Sequence, residues 1–140
     1  MKTKKIDHIC IAVKDLSAAR VIYEQTLGLE LDVEYVAESE KIKVARYYIG
    51  EVALEIMEST APDGDVAKFI EKKGEGVFLI SYCVDDVDAA LDELKAKGEK
   101  LIDEEPRTLM GNKYAFIMPP NKMCGVLTEL IDGDFDPGKK

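Results

Sequence analysis

The feature that most constrains the fold of this chain is an internal repeat. The segment Val13-Lys14-Asp15-Leu16 matches Val84-Asp85-Asp86-Val87 at an offset of 71 residues. Near the end of each half, Leu54-Glu55-Ile56 matches Thr128-Glu129-Leu130. A duplicated structural module explains these matches better than chance does. The sequence therefore predicts two similar modules within one chain.

Each module is predicted to contain a strand, a helix and three further strands. Alternating β-branched residues predict the strands, and apolar residues three and four positions apart predict the helices. In module 1 (about 6–58), the predicted strands are Ile6–Val13, Leu29–Val36, Ile42–Ile49 and Val52–Glu58. Its helix, capped by Asp15 or Ser17, is predicted to run to about Thr26 with an apolar stripe of Leu16, Ala19, Tyr23 and Leu27.

Module 2 (about 77–132) has the same predicted order. Its strands are Val77–Val84, Lys100–Glu104, Lys113–Met118 and Gly125–Asp132, with a helix over Val87–Lys97. A connector with one short helix (59–76) joins the modules, and the polar tail from Gly133 is expected to fray. A chain of 140 residues with this pattern is predicted to be a single domain, 1–140, of the α+β class.

Composition and charge limit the classes of partner. The formal net charge of −9 argues against nucleic acid and anionic membranes, since both attract positive surfaces. No segment is long and apolar enough to span a bilayer, and none resembles a signal peptide, so a cytoplasmic location is expected. Cys10, Cys83 and Cys124 are too scattered for a zinc ribbon and are interpreted as reduced, buried thiols.

The first strand carries the only histidine of the chain, His8. Strand alternation places Ile9, Ile11 and Val13 on one face, which should pack under the helix. His8 lies on the other face with the smaller Cys10, and is predicted to face a cavity. A lone histidine is more often structural than a ligand, so this position alone indicates a site only weakly.

Glu55 and Glu129 occupy equivalent positions of the repeat, each inside an apolar strand. Each could simply point to water from a wet face of its strand. Alternatively, both could be buried, which is costly unless the carboxylate is paired or binds a metal. Together with His8 they could hold a divalent cation, with the carboxylates favouring Mn or Mg and the imidazole permitting Co, Ni, Zn or Fe.

The chain resembles the vicinal oxygen chelate superfamily, and within it the methylmalonyl-CoA epimerase branch. The segments that carry the resemblance extend from Ile6 to Asp132: they are 6–16, Pro62-Asp63 with 66–76, 84–87, the run Leu101–Arg107, and 125–130. The resemblance implies paired βαβββ modules that form a curved mixed sheet around a cavity. It also implies metal ligands at His8, Glu55 and Glu129, while Leu79 stands where the epimerases have a histidine.

The activity implied by this resemblance is that of a metal-dependent isomerase or lyase of the epimerase and glyoxalase type. Such an enzyme would bind Co, Mn, Ni or Zn and act on a small carbonyl or acyl-thioester substrate, including CoA thioesters, through an enolate, with Glu129 or Glu55 as proton carrier. The alternative is a metal-free or non-catalytic small-molecule binding protein of the same fold, because Leu79 removes one ligand. A homodimer is expected from the resemblance.

Overall fold

The computed structural model describes residues 1–139 and contains two βαβββ modules, which confirms the predicted fold class. The strands are β1 (Lys5–Ala12), β2 (Val33–Ala37), β3 (Ile42–Ile49), β4 (Val52–Ser59), β5 (Gly76–Val84), β6 (Arg107–Leu109), β7 (Asn112–Phe116) and β8 (Leu127–Asp132). The helices are α1 (Leu16–Leu27), α2 (Asp65–Lys73) in the connector and α3 (Val87–Ala96), with short 3-10 turns at Glu38–Glu40, Pro120–Lys122 and Pro137–Lys139.

The chain divides into two compact units. The N-terminal unit comprises Ile9–Phe78 and Pro137–Lys139, and the C-terminal unit comprises Met1–His8 and Leu79–Asp136. The boundaries therefore fall inside β1 and β5.

In the N-terminal unit, β2, β3 and β4 form an antiparallel sheet. Helix α1 begins at Leu16 because the Asp15 side chain accepts a hydrogen bond from the Ala18 amide, and it ends at Gly28, whose φ of 67° favours glycine. Leu16 and Ala19 pack against Val13 and Ile56, as the helical stripe predicted. Leu27, predicted to lie on the same stripe, is instead 59% exposed in the last turn of the helix.

In the C-terminal unit, β5 pairs in parallel with β8, and β7 lies antiparallel between β8 and β6. Asp86 caps α3 by accepting from the Ala89 amide. Leu91 and Leu94 of α3 pack on Val84, Ala115 and other residues of one sheet face. The opposite face of this sheet carries Ser81 and Glu129.

Two predicted strands are shifted in the structure. The strand predicted at Lys100–Glu104 is wrong: β6 begins at Arg107, because the Asp103 carboxylate takes the Phe116 amide that a strand partner would bind (2.9 Å). Strand β2 begins at Val33 and not at Leu29, since Leu29 and Leu31 pack under α1 as irregular chain.

Two further expectations are corrected by burial. The tail from Gly133 was expected to fray, but Phe135 is 4% exposed because its ring packs within the C-terminal unit. Cys10 and Cys83 are buried free thiols as predicted, whereas Cys124 is exposed in the loop before β8.

In residues 1–139, no helix has the length and apolar character needed to cross a membrane.

Candidate active site

His8 lies on the buried face of β1. His8 is 4% exposed and Cys10 is fully buried on the same face. Ile11 and Val13, on the alternate face, pack with the helix cluster of the N-terminal unit. The prediction that Ile11 and Val13 pack under the helix is confirmed.

Both ring nitrogens of His8 have carboxylate neighbours in the C-terminal unit. Nδ1 lies 2.7 Å from Oδ2 of Asp7, which is itself buried. An ionised carboxylate can only accept, so Nδ1 carries a proton and donates to Asp7. Nε2 lies 3.5 Å from Oε1 of Glu129. Asp7 therefore orients the imidazole so that Nε2 faces Glu129.

Glu129 is positioned by β8 and its neighbours. Ser81 lies opposite it on β5, and the Ser81 hydroxyl donates to Glu129 Oε1 at 2.8 Å. On the other side, Phe116 of β7 is its register partner. Glu129 is only 6% exposed, so the alternative in which it points to water from a wet face is wrong.

Phe135 closes the surroundings of His8 within the C-terminal unit. The two ring centroids lie 6.2 Å apart with the planes tilted by 44°. Because Phe135 belongs to the tail that sequence analysis treated as frayed, this contact was not anticipated. Its aromatic ring reduces the exposure of the imidazole to water.

Glu55 is buried in the N-terminal unit, where it has an internal cation as partner. Arg46 Nη1 lies 2.8 Å from Glu55 Oε2, and each side chain is 1% exposed. The Tyr35 hydroxyl donates to the same oxygen at 2.7 Å. Cys10 Sγ lies 3.8 Å from Oε1. The alternative of a water-facing Glu55 is therefore also wrong.

Electrostatic effects on this cluster follow from its burial. Burial, reinforced by the charge of Glu55, raises the pKa of Tyr35 well above its usual value, so the phenol stays neutral and donates. Burial disfavours the charged guanidinium of Arg46, but Glu55 outweighs that cost and the pKa of Arg46 is raised. Arg46 therefore stays charged beside Glu55.

The remaining residue of the predicted ligand set is Leu79, which replaces a histidine of the epimerase pattern. Leu79 is 3% exposed on β5, two residues before Ser81 and opposite Leu127. Its side chain is apolar and has no atom that could bind a metal ion. The position is thus filled by a packed leucine in the C-terminal unit.

The structure places His8 beside Glu129 within the C-terminal unit, and within the N-terminal unit it places Arg46 and Tyr35 against Glu55. Sequence reasoning missed Asp7, Ser81, Arg46 and Tyr35. Arg46 had one detectable signal, because it is a charged residue within the apolar segment Val44-Ala45-Arg46-Tyr47. The other three became recognisable only through their hydrogen bonds.

The buried thiol of Cys83 is not a suitable nucleophile. Burial, together with the nearby charge of Asp7, raises the pKa of Cys83 and keeps the thiol protonated. A protonated thiol is a poor nucleophile. Cys83 is therefore interpreted as a structural residue.

His8 and Glu129 fit a divalent cation. Metal-binding histidines commonly donate their second ring N–H to a carboxylate, as His8 does to Asp7, and a metal-binding carboxylate is itself hydrogen-bonded, as Glu129 is by Ser81. Glu55 already has Arg46 as a counter-charge. The role of Glu55 as a metal ligand stays a prediction.

The comparison with known protein families agrees with the observed modules. The family model for the Glyoxalase/Bleomycin resistance protein/Dioxygenase superfamily matches residues 5–137. The chain belongs to this superfamily. The predicted resemblance to vicinal oxygen chelate proteins is thereby confirmed.

Relatives within the glyoxalase superfamily include epimerases. The chain is 30% identical to the ethylmalonyl-CoA/methylmalonyl-CoA epimerase of Cereibacter sphaeroides over 128 residues, covering 90% of this chain and 96% of that protein. It is 38% identical to the uncharacterized protein YqjC of Bacillus subtilis over 129 residues, covering 91% of each.

A solved structure of a glyoxalase-superfamily relative extends this comparison. A methylmalonyl-CoA epimerase in complex with methylmalonyl-CoA and NH4+ matches with a TM-score of 0.87 and 35% identity. The match covers 94% of this chain and 96% of that protein. Similarity to epimerases is thus found in both sequence and structure.

Proposed function

We propose that this protein is an isomerase of the epimerase type that moves the α-proton of a small acyl thioester, with a CoA thioester as substrate. The buried His8–Glu129 pair carries the proposal, since it places an imidazole and a carboxylate 3.5 Å apart. The similarity to epimerases whose substrates are CoA thioesters supports the substrate class.

In this proposal Glu129 accepts and returns the α-proton, because a carboxylate held in a largely dry site is a suitable acid–base group. Ser81 holds Oε1 of Glu129, and Asp7 fixes the His8 ring. Phe135 limits the access of water to the imidazole. Glu55, the second carboxylate of the repeat, is the other candidate proton carrier.

A divalent cation is part of the proposal, with Co, Mn, Ni or Zn as candidates. His8 and Glu129 would hold it, and the resemblance adds Glu55 as a third ligand. When bound, the cation would stabilise the negative charge of an enolate. Lyase chemistry of the glyoxalase type uses the same enolate and stays within the proposal, as do the homodimer and the cytoplasmic location.

The direct test is exchange of the α-proton of methylmalonyl-CoA in deuterated water, followed by mass spectrometry with and without added metal. Exchange should occur with the wild type and fall at least 100-fold in Glu129→Gln, the usual scale for losing an acid–base group. Glu51→Gln, at an exposed turn, serves as the matched control and should exchange normally. Absence of exchange in the metal-loaded wild type contradicts the proposal.

The second candidate function is small-molecule binding without catalysis or metal. Two observations favour it specifically: the packed Leu79 at a ligand position and the Arg46–Glu55 ion pair. In that case calorimetry should detect binding of methylmalonyl-CoA, metal analysis should find no bound cation, and no deuterium should be incorporated.

A further inference from the structure

Cys10 is a further candidate donor on the face of β1 that carries His8. Side chains two residues apart on a strand lie on the same face, so the thiol follows the imidazole along β1. Cys10 is fully buried. A buried cysteine can serve simply as a small apolar side chain, and its neighbours decide whether it is also placed to bind a metal ion.

Within the N-terminal unit, the thiol of Cys10 lies beside the carboxylate of Glu55. Cys10 Sγ donates to Glu55 Oε1 at 3.8 Å. Tyr35 and Arg46 donate to the other oxygen, Oε2, at 2.7 and 2.8 Å. The carboxylate oxygen that faces the thiol is therefore not the oxygen that receives the hydrogen bond from Arg46.

His8, Cys10 and Glu55 together offer three donors of different chemistry. Their ligand atoms, one nitrogen, one sulfur and one oxygen, lie within 4.8 Å of one another, and all three side chains are buried. Because zinc binds nitrogen and oxygen at about 2.1 Å and thiolate at about 2.3 Å, two ligand atoms on one tetrahedral zinc lie roughly 3.5 Å apart. The group therefore has dimensions close to those of a metal site.

The charges of the neighbouring side chains favour a thiolate in this donor set. Arg46 lies against Glu55 as a counter-charge. A cysteine that binds a metal does so as a thiolate, since the thiol proton is released to solvent when the metal–sulfur bond forms. The thiolate and the carboxylate then outweigh the guanidinium, and the resulting net negative charge attracts a divalent cation.

We propose that Cys10 is a metal ligand and restores the fourth donor that Leu79 removes. This inference rests on the metal site of the proposed function and deepens it, because the resemblance assigns His8, Glu55 and Glu129 and no thiolate. A thiolate ligand selects softer ions than nitrogen and oxygen ligands alone. The expected metals are therefore Zn²⁺ and Co²⁺, and Mn²⁺ is disfavoured.

The absorption spectrum of the Co²⁺ form tests for bound sulfur without measuring activity. A thiolate on Co²⁺ gives an intense charge-transfer band in the near ultraviolet. The full chain with Cys83→Ser and Cys124→Ser keeps Cys10 as its one cysteine and should show this band. Cys10→Ser should bind Co²⁺ more weakly and lack the band. A Co²⁺ spectrum without the band in the first protein, or with it in the second, would overturn the inference.

Metal affinity provides a second measurement. The dissociation constant for Zn²⁺, measured by calorimetry, should rise at least about 10-fold in Cys10→Ser, and that for Mn²⁺ should change by at most about 3-fold. Cys10→Ala, which buries no hydroxyl, repeats the measurement if serine disturbs folding, as judged by circular dichroism. An unchanged Zn²⁺ affinity in the folded variant would overturn the inference.

Cys83→Ser is the matched control for the affinity measurement. Cys83 is also buried, at 3% exposure, but its Sγ contacts the backbone carbonyls of Val84 and Gly133. Its replacement should leave the Zn²⁺ dissociation constant within about 3-fold of wild type. Equal losses of Zn²⁺ affinity in Cys83→Ser and Cys10→Ser would overturn the specific role of Cys10.

The outcomes separate this inference from the proposed function. A sulfur-bound metal without exchange of the α-proton contradicts the epimerase activity and supports Cys10 as a ligand. Metal-dependent exchange without a sulfur signal supports the activity and overturns the inference. A wild type that binds neither Co²⁺ nor Zn²⁺ overturns the inference as well.

Discussion

Arg46 and Glu55 stand directly opposite each other on β3 and β4 and form an ion pair of 2.8 Å at 1% exposure. Their counterparts in the second module are Phe116 and Glu129. The duplication has therefore preserved a carboxylate in both modules and changed what faces it. In the first module the facing residue is a guanidinium, and in the second it is an aromatic ring.

Asp7→Asn should weaken metal binding by about 10- to 100-fold, the range found for partners of metal-binding histidines. Asparagine can still contact Nδ1 of His8 but no longer favours a proton there, so the orientation of Nε2 towards Glu129 is less well defined. Calorimetric titration with Co²⁺ measures the change. Asp134→Asn, at an exposed position, is the control, and equal affinity in both variants would contradict the role of Asp7.

Leu79→His should increase metal affinity at least about 10-fold, because it adds an imidazole on the sheet face that carries Ser81 and Glu129. Metal content after dialysis and the visible spectrum of the Co²⁺ form provide the measurements. Leu127→His places the same side chain on the register partner in β8 and controls for a merely added histidine. If both variants gain equally, position 79 has no special relation to the site.

Tyr47 should make the protein sensitive to alkaline pH. Burial, followed by the hydrogen bond to Glu24, raises the pKa of Tyr47 to about 12. The phenol of the unfolded chain ionises near pH 10, so the neutral Tyr47 phenol contributes its full stabilisation of the folded state below that pH. This contribution, about 2 kcal/mol of the free energy of unfolding, is lost as the pH rises from about 10 to 12. Urea unfolding across this range should show a shallower decline for Tyr47→Phe than for wild type.

Tyr23→Phe is the matched control for that experiment, since Tyr23 is half-buried in α1 of the same unit. Its pH dependence between pH 10 and 12 should follow that of wild type. A Tyr47→Phe protein with an unchanged alkaline slope would show that the neutral phenol of Tyr47 is not the source.

Phe135→Ala should lower the free energy of unfolding by about 3 kcal/mol, the usual cost of removing a buried phenyl ring. Phe135 is 4% exposed and packs against His8, so the loss also opens the imidazole to water. Chemical denaturation gives the stability change. Ile102→Ala, at a side chain that is 44% exposed, should cost much less, and similar costs for both would contradict the docked tail.

The sequence alone determined the modular architecture and most element bounds, since those depend on residues close along the chain. Alternation in Ile42–Ile49 predicted β3 with its observed ends, and Asp15 and Gly28 marked the limits of α1. Where neighbours supply a competing partner, this reasoning failed. The Asp103 carboxylate accepts a hydrogen bond from the Phe116 amide, and β6 begins only at Arg107. Packing also buries Phe135, although it lies in a polar tail.

For the site, the sequence identified His8, Glu55 and Glu129 as the unusual polar residues, and the structure buries all three. Tertiary structure alone decided their partners. Register between β3 and β4 places Arg46 against Glu55, and pairing of β5 with β8 places Ser81 against Glu129, across 48 positions of sequence. Such contacts depend on how strands pair, which local periodicity does not encode, and they determine which side chain faces each buried carboxylate.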